Sequence, residues 1–149
     1  MTYIQNVQQE QVRSGASMLL TLTDLSAEPL QSQIIRQIRA SILAGELEAG
    51  ANLPSIRALA TEQRVSVITV QRAYESLERE GLIHSRRGKG FFVSELRNQE
   101  KKEMARQRLE ENIGPHIMSA LSEGMRIQDI KAVVDSVLKH NGAKQGVTK

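Results

Sequence analysis

From Leu30 onward the apolar residues fall at helical intervals: Leu30, Ile34, Ile35, Ile38 and Ile42 share a face, and the series stops at Gly45. A side chain returns to the same face every 3.6 residues, so this spacing predicts a helix of about four turns following Pro29. Residues 46–54 read as loop. Ser55, behind Pro54, is placed to cap a short second helix whose buried side is Ile56, Leu59 and Ala60. After a break at Arg64 and Val65, Ser66 offers another cap. A third helix then carries Val70, Ala73, Tyr74 and Leu77 on one face and ends at Gly81. Two helices joined by a turn of three or four residues form the helix-turn-helix outline. Next, Leu82 and Ile83 start a strand, the two glycines of Arg86–Gly90 permit a turn, and Phe91 to Val93 return, which predicts a hairpin with a basic tip.

The flanks are patterned differently. Residues 1–17 are Gln-rich and without period and read as a mobile arm, while MLLTLT at 18–23 is expected to form a short strand. Residues 95–113 read as a polar helix carrying Ala105, Leu109 and Ile113 at four-residue steps, continued by Ile117 and Leu121. Gly114 and Pro115 interrupt that series, and Pro115 either starts a new helix or kinks a continuing one. Gly124 is placed to end it, and Ile127, Ile130, Val133, Val134, Val137 and Leu138 predict a last helix stopping near Gly142. A helix pair of this size cannot bury such stripes alone, so a second copy of the chain is the expected partner. The expected division is an arm over 1–24, a winged helix-turn-helix over 25–94, a helical dimerisation region over 95–141 and a mobile tail over 142–149. The fold class is mainly α, with a small β-hairpin wing.

Composition fits this reading and removes rivals. At 149 residues, with two Phe, two Tyr and no Trp, the core has to be built from Leu, Ile, Val and Ala. No stretch has the length and apolarity of a membrane span, and the first residues lack the pattern of a signal peptide, so a cytoplasmic protein is expected. The absence of cysteine excludes disulfides, thiolate metal sites and cysteine nucleophiles, and three scattered His do not favour a local metal motif. The net charge of +3 matters because of where it sits: between Arg57 and Lys89 seven basic residues face four acids, which accounts for the entire surplus. Arg86, Arg87 and Lys89 crowd around glycines with no acid nearby.

The segments LPSIRALA (53–60), TVQRAYESLEREGLI (69–83) and RRGKGFFV (86–93) have the order and spacing of one family. Over residues 29–93 the chain resembles the N-terminal DNA-binding domain of the GntR family of bacterial transcription regulators. Only 56 residues follow Val93, and they resemble the short helical appendage of its YtrA-like subfamily. The resemblance implies a homodimeric regulator, most simply a repressor, that binds double-stranded DNA at a pseudo-palindromic operator. No cofactor is expected, and a small-molecule effector stays open as a further partner whose identity the sequence does not give.

What the resemblance implies for single residues agrees with their chemistry. Arg57, early in the second helix, is expected to reach phosphate. Ser66, Val67, Ile68, Thr69, Gln71 and Arg72 form the start of the recognition helix, the end that enters the major groove. Ser66 is expected to cap the helix and touch a phosphate, and Thr69 to reach backbone or base. Arg72 either meets phosphate or pairs with Glu75 or Glu62. Many relatives carry Arg where this chain has Val67, and several where it has Gln71. Val67 and Ile68 suit the thymine methyl group and Gln71 suits adenine, unless Val67 and Ile68 pack against the first helix or the wing. In the wing, Gly88 allows close approach to the DNA backbone, and Arg87 and Lys89 supply charge for the minor groove or its phosphates. Tyr74 belongs to the core. Two other functions compete with this one. A winged helix that binds protein or RNA would be indifferent to duplex sequence. An enzyme would need a phosphate loop, metal spacing or a catalytic constellation, none of which is legible in the sequence.

Overall fold

The structure is a computed structural model and describes residues 18–142. The expected mobile arm over 1–17 and most of the expected mobile tail lie outside these residues. The described elements are α1 (Leu30–Leu43), α2 (Ile56–Gln63), α3 (Val67–Arg79), β1 (Ile83–Arg86), β2 (Gly90–Val93), α4 (Asn98–Ser122) and α5 (Ile127–Gly142). The chain divides into two compact units, the first reaching Lys101 and the second starting at Lys102.

In the first unit α3 packs against α1, α2 and β1, and the core is what the periodicity predicts. Its buried residues are Ile34, Ile38 and Ile42 of α1, Leu59 and Ala60 of α2 and Val70, Ala73, Tyr74 and Leu77 of α3, with Leu82, Ile83 and Val93 on the hairpin side. Ile56 is only half-buried. Tyr74 is fully buried, its hydroxyl donates to the Pro54 carbonyl at 2.8 Å, and its ring meets Phe91 edge-on at 4.9 Å. Burial, reinforced by the negative charge of Glu62, pushes its phenol well above the ordinary range.

Two polar side chains on α1 are also buried. Arg39 forms a two-pronged ion pair with Glu80, which follows α3, at 2.8 and 2.6 Å, joining α1 to the end of α3. Gln33 accepts from the Thr23 amide at 3.0 Å and donates to the carbonyls of Thr23 and Glu28 at 2.9 and 2.8 Å. One turn later Gln37 accepts from the Thr21 amide and donates to the Thr21 carbonyl, both at 2.8 Å. This corrects the strand expected over residues 18–23, where none forms. The two glutamine amides of α1 take the backbone groups of Thr21 and Thr23 that a neighbouring strand would have taken.

β1 and β2 are antiparallel in the register Ile83↔Val93 to Arg86↔Gly90. The loop before α2 adds a third edge to this hairpin. The amides of Gly50 and Leu53 donate to the carbonyls of Val93 and Phe91, and the Val93 amide donates to the Ala51 carbonyl, each at 2.9 Å. The wing root is thereby tied to the segment that leads into α2.

In the second unit, α4 continues through Pro115, which decides between the two expected outcomes there. The chain turns after Ser122 with Gly124 at φ 92°, and α5 follows. Along α4 and α5 no residue is buried.

Candidate nucleic-acid interface

Three elements of the first unit present the candidate contact residues. The start of α2 is built by Ser55, whose hydroxyl accepts from the Ala58 amide at 3.1 Å, and Arg57 stands exposed in that first turn. The turn to α3 depends on Arg64, a non-glycine residue in the left-handed region at φ 55°. That conformation ends α2 and allows the Val65 amide to donate back to the Ala60 carbonyl at 3.0 Å.

Ser66 then caps α3: its hydroxyl accepts from the Thr69 amide at 3.1 Å and lies 2.7 Å from the Thr69 hydroxyl. The two hydroxyls so placed are occupied with each other, and Thr69 is half-buried. Val67 and Ile68, by contrast, are 45% and 60% exposed and stand outside the buried core. Gln71 is exposed and donates to Glu75 at 3.1 Å, one helical turn along. Arg72 is exposed as well, and among the described residues it makes no ion pair with Glu75.

At the wing tip the Lys89 amide donates to the Arg86 carbonyl at 2.9 Å, which leaves Arg87, Gly88 and Lys89 projecting beyond the last strand pair. Gly88 sits at φ 74° with open space where a side chain would stand, so another backbone can approach it closely. Arg87 and Lys89 are exposed. Among the described residues Arg57, Arg72, Arg87 and Lys89 take part in no ion pair, and the same holds of Arg64, Arg79, Arg86 and Lys101 in this unit and of Lys102, Arg108, Lys131 and Lys139 in the other, while Arg36, Arg39, Arg97, Arg106 and Arg126 are paired. What sets the four apart is their place at the helix starts and the wing tip. Unpaired guanidinium and ammonium groups remain available to phosphate.

Some of this arrangement was not legible in the sequence. Glu78 accepts from the Ser85 amide at 2.9 Å, so α3 holds β1 directly, a contact that only the folded arrangement reveals. The Arg86 guanidinium lies over the Phe92 ring, 5.0 Å from its centroid, and serves the strand rather than the tip. Arg64 gave one sign of its role, the need for the helix to stop where no glycine is present.

Known proteins share both the sequence pattern and this geometry. The profile of the family described as "Bacterial regulatory proteins, gntR family" matches residues 30–93. The HTH-type transcriptional repressor YtrA of Bacillus subtilis is 40% identical over 77 residues, which are 52% of this chain and 59% of that protein. The chain therefore spans little more than half the length of this curated relative. A GntR family transcriptional regulator from Listeria monocytogenes superposes with a TM-score of 0.61 at 32% identity, over 77% of this chain and 98% of that one. A structure described as a transcriptional antiterminator from Listeria monocytogenes EGD-e superposes at 0.64 with 27% identity, over 82% of this chain and 91% of that one. The matched profile covers α1 through β2, and a 32% identical relative is covered almost to its full length: the chain belongs to the GntR family of bacterial transcription regulators, and YtrA is among its relatives there.

Proposed function

We propose that the chain is a sequence-specific DNA-binding regulator that represses transcription, occupying a pseudo-palindromic operator as a homodimer. One observation carries the DNA-binding part. The cations at the start of α2, on α3 and at the wing tip are exposed and without ion pairs among the described residues, and they flank a recognition-helix tip that is open to a partner. On this reading Arg57, Arg87 and Lys89 hold phosphates and Gly88 lets the wing approach the backbone. Ser66, Thr69 and Arg72 position the tip, and Val67, Ile68 and Gln71 face bases. Repression is the activity in the name of the Bacillus subtilis relative YtrA.

The homodimer is supported by the second unit. Leu109, Ile113, Ile117, Val134 and Val137 line an apolar groove of about 480 Å³ between α4 and α5, and no residue of either helix is buried. Open apolar surface of this kind marks an association site. A dimer with two-fold symmetry presents two recognition helices to two half-sites, and this is why the operator is expected to be pseudo-palindromic.

Selection from random duplexes by the full chain, followed by mass measurement of the bound complex, tests the whole proposal. The expected result is an inverted-repeat motif carrying two chains per duplex. Binding that is indifferent to duplex sequence, or stronger on RNA than on any duplex, would overturn it. A chain that is monomeric in light scattering at micromolar concentration and yet binds the motif tightly would remove the dimer alone.

A further inference from the structure

We propose that Val67 and Ile68 read thymine methyl groups in the major groove. The inference rests on the duplex-DNA reading of the interface and adds the kind of base that the recognition helix selects. Val67 and Ile68 occupy the first two positions of α3 and stand 45% and 60% exposed, while Val70, Tyr74 and Leu77 of the same helix are fully buried.

Helix formation does not explain the pair. β-Branched side chains lose rotamer freedom in a helix, and a helix start gains more from an acidic or polar residue than from an apolar one. The first turn of α3 holds no acid, so the tip carries no charge that would repel phosphate. Packing accounts for the pair only in part, since Val67 keeps 45% and Ile68 60% of its surface open to solvent within the first unit.

The chemistry of the groove supplies a partner. Across the major-groove edges of the four base pairs the thymine C5 methyl is the bulky apolar group, beside hydrogen-bond donors and acceptors and the small C5–H of cytosine. The residues at the start of a recognition helix are those that meet base edges. Arg57, Arg72, Arg87 and Lys89, without ion pairs among the described residues, supply the phosphate attraction that would press this apolar tip into the groove. A purely polar tip would have had to exchange water for hydrogen bonds one by one, whereas two branched side chains gain by excluding water from a methyl group.

The test uses the full chain and the duplex it selects. Each thymine of that duplex is replaced in turn by deoxyuridine, which deletes the methyl and keeps every hydrogen-bonding group. At one or two thymines per half-site the replacement is expected to weaken binding roughly fourfold, the equivalent of about 0.8 kcal/mol for one apolar carbon. Val67→Ala and Ile68→Ala should each abolish the sensitivity at one of those positions and leave it intact at the other. Where the thymine has been changed to cytosine, 5-methylcytosine should restore part of the affinity. Tolerance of deoxyuridine at every position, or the same penalty in the parent and both variants, would overturn the inference while leaving the operator reading in place. If no motif is selected at all, both fail together.

Discussion

The two units of this chain use the same apolar residues to different ends. In α1, Ile34, Ile38 and Ile42 are fully buried, and α3, itself packed against α2 and β1, supplies the main opposing surface within one short segment of chain. In α5, Ile127, Val133, Val137 and Leu138 recur with comparable regularity, yet each is half exposed or more. The stripes do not differ in strength; what differs is the number of elements available to cover them. Three helices and a hairpin can enclose a core, whereas two helices present faces to each other and leave a groove. The expected consequence is that the first unit carries its own stability, while that of the second depends on a partner for its apolar faces.

The largest effect is expected from deleting residues 102–149. Two linked half-site contacts raise affinity through effective concentration, and cutting the link should weaken binding to a full operator by about 10²- to 10⁴-fold. Sedimentation should find the shortened chain monomeric, and urea unfolding should remain cooperative. A shortened chain that stays dimeric, or that unfolds without a cooperative transition, would break the contrast.

Core substitutions come next. Tyr74→Ala empties a fully buried aromatic site and should cost about 3–5 kcal/mol in urea unfolding. Tyr74→Phe strips only the hydrogen bond to the Pro54 carbonyl and should cost about 1–2 kcal/mol. Arg39→Ala leaves Glu80 without its partner. The expected loss is about 2–3 kcal/mol, less than for a fully buried pair, because the Glu80 side chain is 29% exposed. The matching truncation in the second unit, Val137→Ala, should act differently. It should raise the dimer dissociation constant and leave the unfolding of the first unit unchanged. If Val137→Ala lowers that stability directly, the second unit is not independent.

The same contrast governs what was legible in the sequence. The order of helices, the caps at Ser55 and Ser66 and the hairpin could all be read, because periodicity and capping are local properties of the chain. The strand expected over residues 18–23 does not form, because alternation alone cannot say whether a neighbouring strand exists to pair with it. Gln33 and Gln37 take that place, and nothing in their spacing on α1 reveals which backbone groups they meet. Pro115 was ambiguous for a similar reason, since a proline at that point permits either a helix start or a continuing helix. Among the candidate contact residues, the exposure of Val67 and Ile68 required the fold, because a short apolar pair at a helix start reads equally as core.

A smaller effect should appear at high pH. Tyr74 loses its proton near pH 10 in the unfolded chain and well above that in the folded one, because burial disfavours the phenolate. Above pH 10 the unfolded state therefore holds fewer protons than the folded state, and stability falls as pH rises, by at most about 1.4 kcal/mol per pH unit for one group. Stability curves of the parent and of Tyr74→Phe, measured from pH 8 to 11.5, should diverge at pH 8 and converge toward the upper end. Curves that stay parallel over that interval would mean that the tyrosine titrates as it would in water.

The smallest change in free energy is expected at the cations, and it should fall on binding alone. Arg57, Arg87 and Lys89 are exposed and take part in no ion pair among the described residues, so replacing any of them by Ala removes nothing that holds the first unit together. Unfolding free energies should stay within about 0.5 kcal/mol of the parent. For every phosphate that such a variant no longer neutralises, the plot of log affinity against log salt should flatten by about 0.9. The weakening should be similar on cognate and unrelated duplexes, because phosphates carry no sequence. A side chain that met a base instead would lower affinity for the cognate duplex and leave unrelated duplexes unaffected. Comparing slopes on the two duplexes thus separates the groups that hold DNA from those that read it. Unchanged slopes for all three variants would show that this basic surface serves solubility and that the recognition helix binds by other means.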